Sequence, residues 1–441
     1  MLQPPTSNLA KFCKALVVAT MTSAPAPATR TTSLPRAPRA SGSPSLVRED
    51  KQPQIMSFAA VTAIQQRVIA DLPPANSSRN AQQGRATEPA RRGRTTEPAA
   101  RCQLTALLIE PRKSSHALLA LASVLQHAPS STCILWYHSR FHNYRWVKAQ
   151  PLVAHLQQLN RLDLRPIPEY AVPLKTDKPL KTPYFLAGQH REWSNVHVQA
   201  LLMRYKFWLA MPTELVLLFQ SDSVLCSRLD LQEWEQFAHV GAPWPERACK
   251  ETRALWRRIT RSLPARPWVC PRDGRVGNSG LSLRRRSWIL RAIATCPSSL
   301  AGPIQQSTSG DVRSRKASHG AKLPTPNVDC ECKSGCVEDI YLAAVLHGLG
   351  APLPRLDQAA QFAMEHFLPN VLEPTPSSAP ISALFSAGPT FKMPIGFHGL
   401  HRKEEYNSWD CRHLLQVQRR CPAVTMQFGN LTEMACAHRG L

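Results

Sequence analysis

The chain has 441 residues, enough for one large or two medium domains, with 39 Pro, 43% hydrophobic and 19% charged residues. No apolar run approaches the ~20 residues that a membrane-spanning helix needs; the longest, 15–20 and 215–219, fall far short, so no transmembrane segment is expected. The net charge of +24 would suit a nucleic-acid partner, but it is unevenly placed, with 14 Lys and Arg against 5 Asp and Glu in the first 101 residues. Much of the remainder sits in short runs such as Arg257-Arg258 and Arg284-Arg285-Arg286. A diphosphate-bearing substrate would favour the same sign, so no specific nucleic-acid partner is expected.

Residues 1–102 read as a disordered, basic, Pro/Ala/Arg-rich leader with a near-repeat, GRATEPA at 84–90 and GRTTEPA at 93–99. Such composition buries too little apolar surface to offset its ordering entropy. The first acidic residue is Glu49, and an acid-free Ser/Thr-rich start fits an organelle transit peptide as well as a plain tail. Within the leader, 55–72 has the pattern of a short amphipathic helix.

Residues 103–402 read as the folded domain. An apolar run at 106–109 leads through Glu110-Pro111-Arg112 into a helical pattern at 115–127 and a second apolar run at 132–137. Strand, helix, strand is a βαβ unit and predicts a parallel sheet with a right-handed crossover. A helix is expected over 196–210, with Leu201, Leu202, Tyr205, Trp208 and Leu209 on its apolar stripe. A buried strand follows at 215–219 and breaks into Gln220-Ser221-Asp222-Ser223. The fold class expected is α/β, a central, mostly parallel sheet flanked by helices. The polar stretch 301–335 reads as a low-complexity insert, because a helical pattern resumes at 337–346. The tail, 403–441, fits either a packed helix or a frayed end. Of the 13 cysteines, Cys133 and Cys226 lie in apolar contexts and are expected as core residues rather than bridges. Cys330, Cys332 and Cys336 fall one ligand short of a zinc site, with His319 the nearby candidate for the fourth. The triplets at Asn76 and Asn430 match glycosylation sequons, which also arise by chance.

The residues that can carry chemistry follow this frame. A strand that stops at Asp222 presents a carboxylate on a rigid mount, and open α/β sheets place ligands at such strand ends; a turn or helix cap is the plainer use of such an Asp. Gly241-Ala242-Pro243-Trp244 ends in an aromatic turn. In Gly277-Asn278-Ser279-Gly280, the glycines permit close backbone approach and Asn278 can hydrogen-bond hydroxyls. Glu338-Asp339 opens a helix, either as dipole-stabilising acids or as a general base for an acceptor hydroxyl. His398 follows a glycine turn at Gly396.

The order of these strings, LLFQSDSVLC, GAPW, GNSGLSLR, ED before an apolar helix, AQFAME at 360–365 and PIGFH, resembles the domain-of-unknown-function 5672 family, which is similar to nucleotide-sugar glycosyltransferases of the GT-A type. The opening Leu108-Ile109-Glu110-Pro111-Arg112 also looks like its first strand, so the resemblance spans 104–401. It implies a GT-A-like nucleotide-sugar-binding fold that transfers a sugar to an unknown glycan, protein or lipid acceptor. Asp222 would stand at the D-x-D equivalent and, with His398, hold Mn²⁺ or Mg²⁺ against the donor's diphosphate. Glu110 and Arg112 would border the nucleotide, and Asn278 and Gly280 would shape the sugar pocket beside Trp244. Asp339, with Glu338 beside it, would be the base. Two departures stand out: Gln220 replaces the other D-x-D carboxylate, and Ser279 replaces an expected glycine. They motivate a rival reading, a non-catalytic nucleotide-sugar or glycan-binding pseudoenzyme; a basic nucleic-acid-binding protein is a second rival. The family implies a secretory or Golgi location, the leader a plastid.

Overall fold

The computed structural model describes residues 58–72, 102–140, 142–168, 195–244, 277–296, 338–365, 393–400 and 411–431. The repeat at 84–99, the insert at 301–335, Cys330, Cys332, Cys336 and the triplet at Asn76 lie outside them.

The first strand, β1 (Leu104–Ile109), is buried along all six residues, as expected of a central parallel strand covered on both faces. Helix α2 (Ser115–His127) follows it, capped by Ser114, whose Oγ accepts from Ala117 N at 3.3 Å. It leads into β2 (Thr132–His138), which pairs parallel with β1 from Leu104↔Thr132 to Ile109↔Tyr137. Two short helices, α3 (Tyr144–Lys148) and α4 (Pro151–Gln158), cross to β3 (Leu162–Pro166), parallel to β2. The βαβ reading therefore holds. Upstream, α1 (Phe58–Asp71) packs its buried Val61, Ile64 and Val68 into the same core as α2. The stretch read as a short helix within the leader is thus part of the folded body.

The chain then crosses to the other side of β1. The single helix expected over 196–210 is two, α5 (Asn195–Leu202) and α6 (Tyr205–Leu209). Arg204 takes an extended conformation between them, and the Trp208 indole donates to Leu202 O at 2.6 Å, occupying a carbonyl the break leaves over. Leu209 points outward, 59% exposed, so the stripe stops at Trp208. Strand β4 (Leu215–Phe219) pairs parallel with β1, Leu104↔Leu215 to Leu108↔Phe219. Helix α7 (Leu231–Trp234) precedes β6 (His239–Ala242), and β7 (Asn278–Arg285) inserts antiparallel between β4 and β6.

The sheet order is β3-β2-β1-β4-β7-β6: a mixed α/β fold with a central, mostly parallel sheet. Alternate residues of β1 feed two cores. Leu104, Ala106 and Leu108 face α1, α2 and α4, while Leu107 and Ile109 face α5, α6, α8 (Arg286–Thr295) and α9 (Glu338–Gly348). Because β2 and β4 flank β1, the order reverses there, and the crevice beyond the carboxyl ends of β1 and β4 is the topological switch point.

A smaller sheet stands at that crevice. Strand β5 (Ser223–Leu225) begins one residue after Asp222 and pairs antiparallel with β9 (Gly396–His398), Ser223 opposite His398. On the other side of β9 lies parallel β8 (Ala363–Met364), the continuation of α10 (Leu356–Phe362). Two further helices, α11 (Cys411–Arg420) and α12 (Pro422–Phe428), pack through α12 on α2 and β5. No helix among the described residues is long and apolar enough to cross a membrane.

The cysteine expectation is corrected. Cys133 bonds to Cys102 and Cys226 to Cys421, with Cα separations of 5.7 and 5.2 Å. The apolar surroundings that suggested core thiols are real, but strand pairing carries Cys102 beside Cys133, and the α11–α12 junction brings Cys421 to the end of β5. The second bridge ties the C-terminal helices to the floor of the crevice across 195 residues.

Candidate active site

The loops after β1 and β2 are locked together at the crevice by Asn143. Its buried amide donates to Glu110 O at 2.6 Å and Arg112 O at 2.9 Å, and accepts from Ser139 N at 2.8 Å. Glu110 is itself buried and grips Arg112 through two parallel bonds, Nε–Oε1 at 2.7 Å and Nη2–Oε2 at 2.9 Å. The Arg112 side chain remains 69% exposed, with Nη2 reaching Ser221 Oγ at 3.4 Å. A buried acid thus holds a cation at the rim, one residue from Asp222 along β4's exit.

Beyond β4 the chain turns tightly. Ser223 Oγ donates to Gly280 O at 2.7 Å, and Gln220 N donates to the same carbonyl at 2.8 Å. From beneath, Gln427 of α12 donates to Ser221 O. This turn delivers Asp222, its side chain 21% exposed, against His398, which the β5–β9 register places opposite. His398 Nε2 lies 3.1 Å from Asp222 Oδ1 and 3.1 Å from Gln220 Oε1. Its Nδ1 faces Glu365 Oε1 at 3.5 Å, an ion-pair distance. Burial disfavours the charged imidazole, but Asp222 and Glu365 outweigh it and push the His398 pKa up to about 9.

The far wall is the start of β7. Asn278 donates to Glu365 Oε2 at 2.8 Å and accepts from Gly280 N at 2.6 Å. A Cβ on Gly280 would stand 2.0 Å from His398 Nε2, so this glycine makes room for the imidazole. Trp244 lies two residues past Ala242, which pairs with Asn278, and its backbone is packed against Gly277. Ser279 is buried in β7.

Behind this wall, the first turn of α9 supplies the paired acids. Glu338 is buried and bonded to the fully buried Arg284 at 2.5 Å, while Arg284 also donates to Ser282 Oγ at 3.0 Å and lies over the Trp208 ring. Asp339 accepts from Ile340 N at 2.8 Å. Burial and then the adjacent Glu338 push its pKa up to about 7, Glu365 adding in the same direction. Burial and Arg284 depress His239, opposite Arg284 on β6, well below its ordinary range.

Asp222, His398, Asn278 and Gly280 therefore meet, Asp339 and Glu338 sit at the start of α9 with Asp339 in electrostatic reach of Glu365, Glu110 and Arg112 form the rim, and Trp244 follows the strand beside Asn278. Three participants were missing from the sequence reading. Gln220 stands in the sequence only as an absent carboxylate, and Glu365 only as part of a motif. Arg284 is one of a basic run; its place after Leu281 and Leu283 on the strand gives no sign of a buried ion pair. Among the described residues, no three His, Cys, Asp or Glu side chains stand together as a ready metal centre.

Residues 189–383 match a family model described as "Protein of unknown function (DUF5672)". Glu110, Arg112 and His398 lie outside the matched residues, and the other candidate residues lie within them. No curated protein matches the chain. Among solved structures, it is similar to the apo form of mouse xyloside xylosyltransferase 1, at 13% identity over 68% of this chain and 97% of that one, with a TM-score of 0.34. It is also similar to galactosyltransferase LgtC in complex with donor and acceptor sugar analogs, at 12% identity over 72% and 96%, TM-score 0.36. A third similarity is to the mannosyltransferase Ktr4p from S. cerevisiae, at 9% identity over 54% and 69%, TM-score 0.29. Of the motifs that resemble this family over 104–401, LLFQSDSVLC, GAPW, GNSGLSLR, the paired acids and AQFAME fall within the matched residues, and over 189–383 this chain carries the sequence pattern of the DUF5672 family.

Proposed function

We propose that the domain is a metal-assisted glycosyltransferase, moving a sugar from a nucleotide-sugar donor to a hydroxyl of an acceptor. One observation carries this reading: Asp222, Gln220 and His398 converge at the switch-point crevice, with a raised-pKa carboxyl, Asp339, in the adjoining wall. The family resemblance supplies the donor class.

The donor set suits a hard divalent ion. Neighbouring ligands of a six-coordinate ion bound at about 2.1 Å stand about 3.0 Å apart, and His398 Nε2 is 3.1 Å from both Asp222 Oδ1 and Gln220 Oε1. Five carboxylates of this electrostatically connected cluster (Glu110, Asp222, Glu338, Asp339 and Glu365) face two guanidinium groups, Arg112 and Arg284, and one imidazole, His398. That imbalance favours a cation. Asp222, His398 and Gln220 would hold Mn²⁺ or Mg²⁺, which when bound neutralises charge on the departing diphosphate as a Lewis acid.

The chain's own residues do the rest. Arg112, held outward by Glu110, offers its charge to the nucleotide's phosphates. Gly280 and Asn278 fix the wall against which the sugar lies. Asp339 takes the acceptor's proton; Glu338, already engaged by Arg284, anchors the helix end that carries it. The disulfides fit an oxidising compartment such as the secretory lumen.

Asp339 has a second consequence. Its folded-state pKa of about 7 lies above the ordinary carboxylate range, so stability is fullest below about pH 4 and falls as pH rises to about 7. Turnover, which needs the carboxylate, rises over the approach to pH 7 and levels off above it. Asp339→Asn should remove the turnover and raise Tm at pH 8; an unchanged pH–rate profile in that variant contradicts the assignment.

The donor reading is tested by a thermal-shift screen of UDP- and GDP-sugars with Mn²⁺, comparing wild type with Asp222→Ala. A donor that stabilises the wild type in the presence of Mn²⁺ should lose that effect in the variant. Stabilisation that survives the substitution opposes the role of Asp222. The pseudoenzyme reading, favoured by the neutral Gln220, predicts binding in this screen without turnover.

A further inference from the structure

We infer that Glu365 is the positioning residue of the crevice: it orients His398 so that Nε2 points at Asp222 and Gln220, and thereby sets the affinity for a divalent cation. The inference rests on the reading of this crevice as a cation site, and concerns a residue to which the motifs alone assign no role. Glu365 is 3% exposed and is the first residue past β8, where the parallel register with β9 continues toward His398. Its two oxygens have separate tasks. Oε2 accepts from Asn278 at 2.8 Å, which fixes the carboxylate against β7, and Oε1 faces His398 Nδ1 at 3.5 Å. The chain of contacts from Gly280 N through Asn278 to Glu365 and His398 therefore links β7, β8 and β9.

An imidazole can present only one lone pair to a cation, and the proton on the other nitrogen decides which one. Both ring nitrogens face a carboxylate, Asp222 at Nε2 and Glu365 at Nδ1; a cation held by Asp222 and Gln220 would displace the proton on Nε2, and Glu365 would retain the one on Nδ1 and make Nε2 the better donor. Gly280 closes the remaining side, since the ring lies where its side chain would be. Rotating the ring by half a turn would bring Cε1 to Asp222 and Gln220 and Cδ2 to Glu365, leaving carbon against both groups. The arrangement selects one orientation.

The test is Mn²⁺ binding to the purified full chain, followed by the EPR signal of the free ion, for wild type, Glu365→Ala and Glu365→Gln. Loss of such an outer carboxylate typically costs 10–100-fold in metal affinity. Glu365→Ala should weaken Mn²⁺ by at least 10-fold at unchanged stoichiometry of the folded fraction. Glu365→Gln, which keeps the size and one carbonyl acceptor, should fall between it and wild type, and serves alone where the alanine variant does not fold. A purely structural role would lower Tm but leave the Mn²⁺ Kd of the folded protein unmoved. Binding by Glu365→Gln and Glu365→Ala within twofold of wild type overturns the role of Glu365 alone. Failure of the wild type to bind Mn²⁺ overturns the cation site and this inference with it.

Discussion

Gly280→Ala should abolish cation and donor binding although it adds only one methyl group. The new Cβ would stand 2.0 Å from His398 Nε2, 2.2 Å from Cδ2 and 2.3 Å from Cε1, inside the ring rather than beside it. Gly280 cannot retreat, because its carbonyl accepts from Gln220 N and Ser223 Oγ and its N–H donates to Asn278. The imidazole must move, and it is buried between Asp222 and Glu365. Overpacking of this kind costs about 1–3 kcal/mol, so the variant should fold with a lowered Tm. Its Mn²⁺-dependent response to donor should fall by about 100-fold or more, the range reached when a site is displaced by an ångström. A Gly280→Ala protein that binds Mn²⁺ like wild type would show that His398 is not at the cation site.

Arg284→Ala should produce the largest loss of stability. Arg284 and Glu338 are 0% and 1% exposed and bonded to each other, so truncating one strands the other's charge in the core, at about 3–5 kcal/mol. Glu338→Leu should cost a similar amount for the mirrored reason. In the cycle of Arg284→Met, Glu338→Leu and Arg284→Met/Glu338→Leu, the double variant removes both charges together and should be less destabilised than either of its single changes, a non-additivity measurable by urea unfolding. The position matters for chemistry as well as for stability: Arg284 ties β7, which carries Asn278 and Gly280, to the helix end that carries Asp339. Additive effects in the cycle would mean that the pair is not coupled.

Much of this architecture was legible because its causes are local. The continuous apolar runs of β1, β2 and β4 have the length and bounds of buried parallel strands, and the intervening helical period fixes the βαβ unit. Asp222 was legible for the same reason, as the residue where an apolar strand stops. What escaped depends on partners distant in the chain. Glu365 acquires its meaning only when β8 is laid beside β9 and β7, 33 and 87 residues away from it in contact terms, through His398 and Asn278. Arg284 sits among three arginines that look alike in sequence, yet only it is fully buried, while Arg285 and Arg286 stand near Glu214 at the surface. Cys133 and Cys226 mislead in sequence because an apolar neighbourhood does not exclude a bridge. The helix expected over 196–210 breaks at Arg204, where nothing in the sequence period signals a stop; the break is stabilised by one indole hydrogen bond. At Gly280, the sequence showed the need for close approach but not the approaching group, which is a side chain of the protein itself.

The most direct test of the account is hydrolysis and transfer by the purified chain with UDP- and GDP-sugars, with and without Mn²⁺, beside Asp222→Ala. The account predicts slow release of nucleoside diphosphate from at least one donor, dependent on the added ion, faster with a competent acceptor and absent in Asp222→Ala. Release of diphosphate from no donor, or release that is indifferent to both the ion and Asp222, would contradict it.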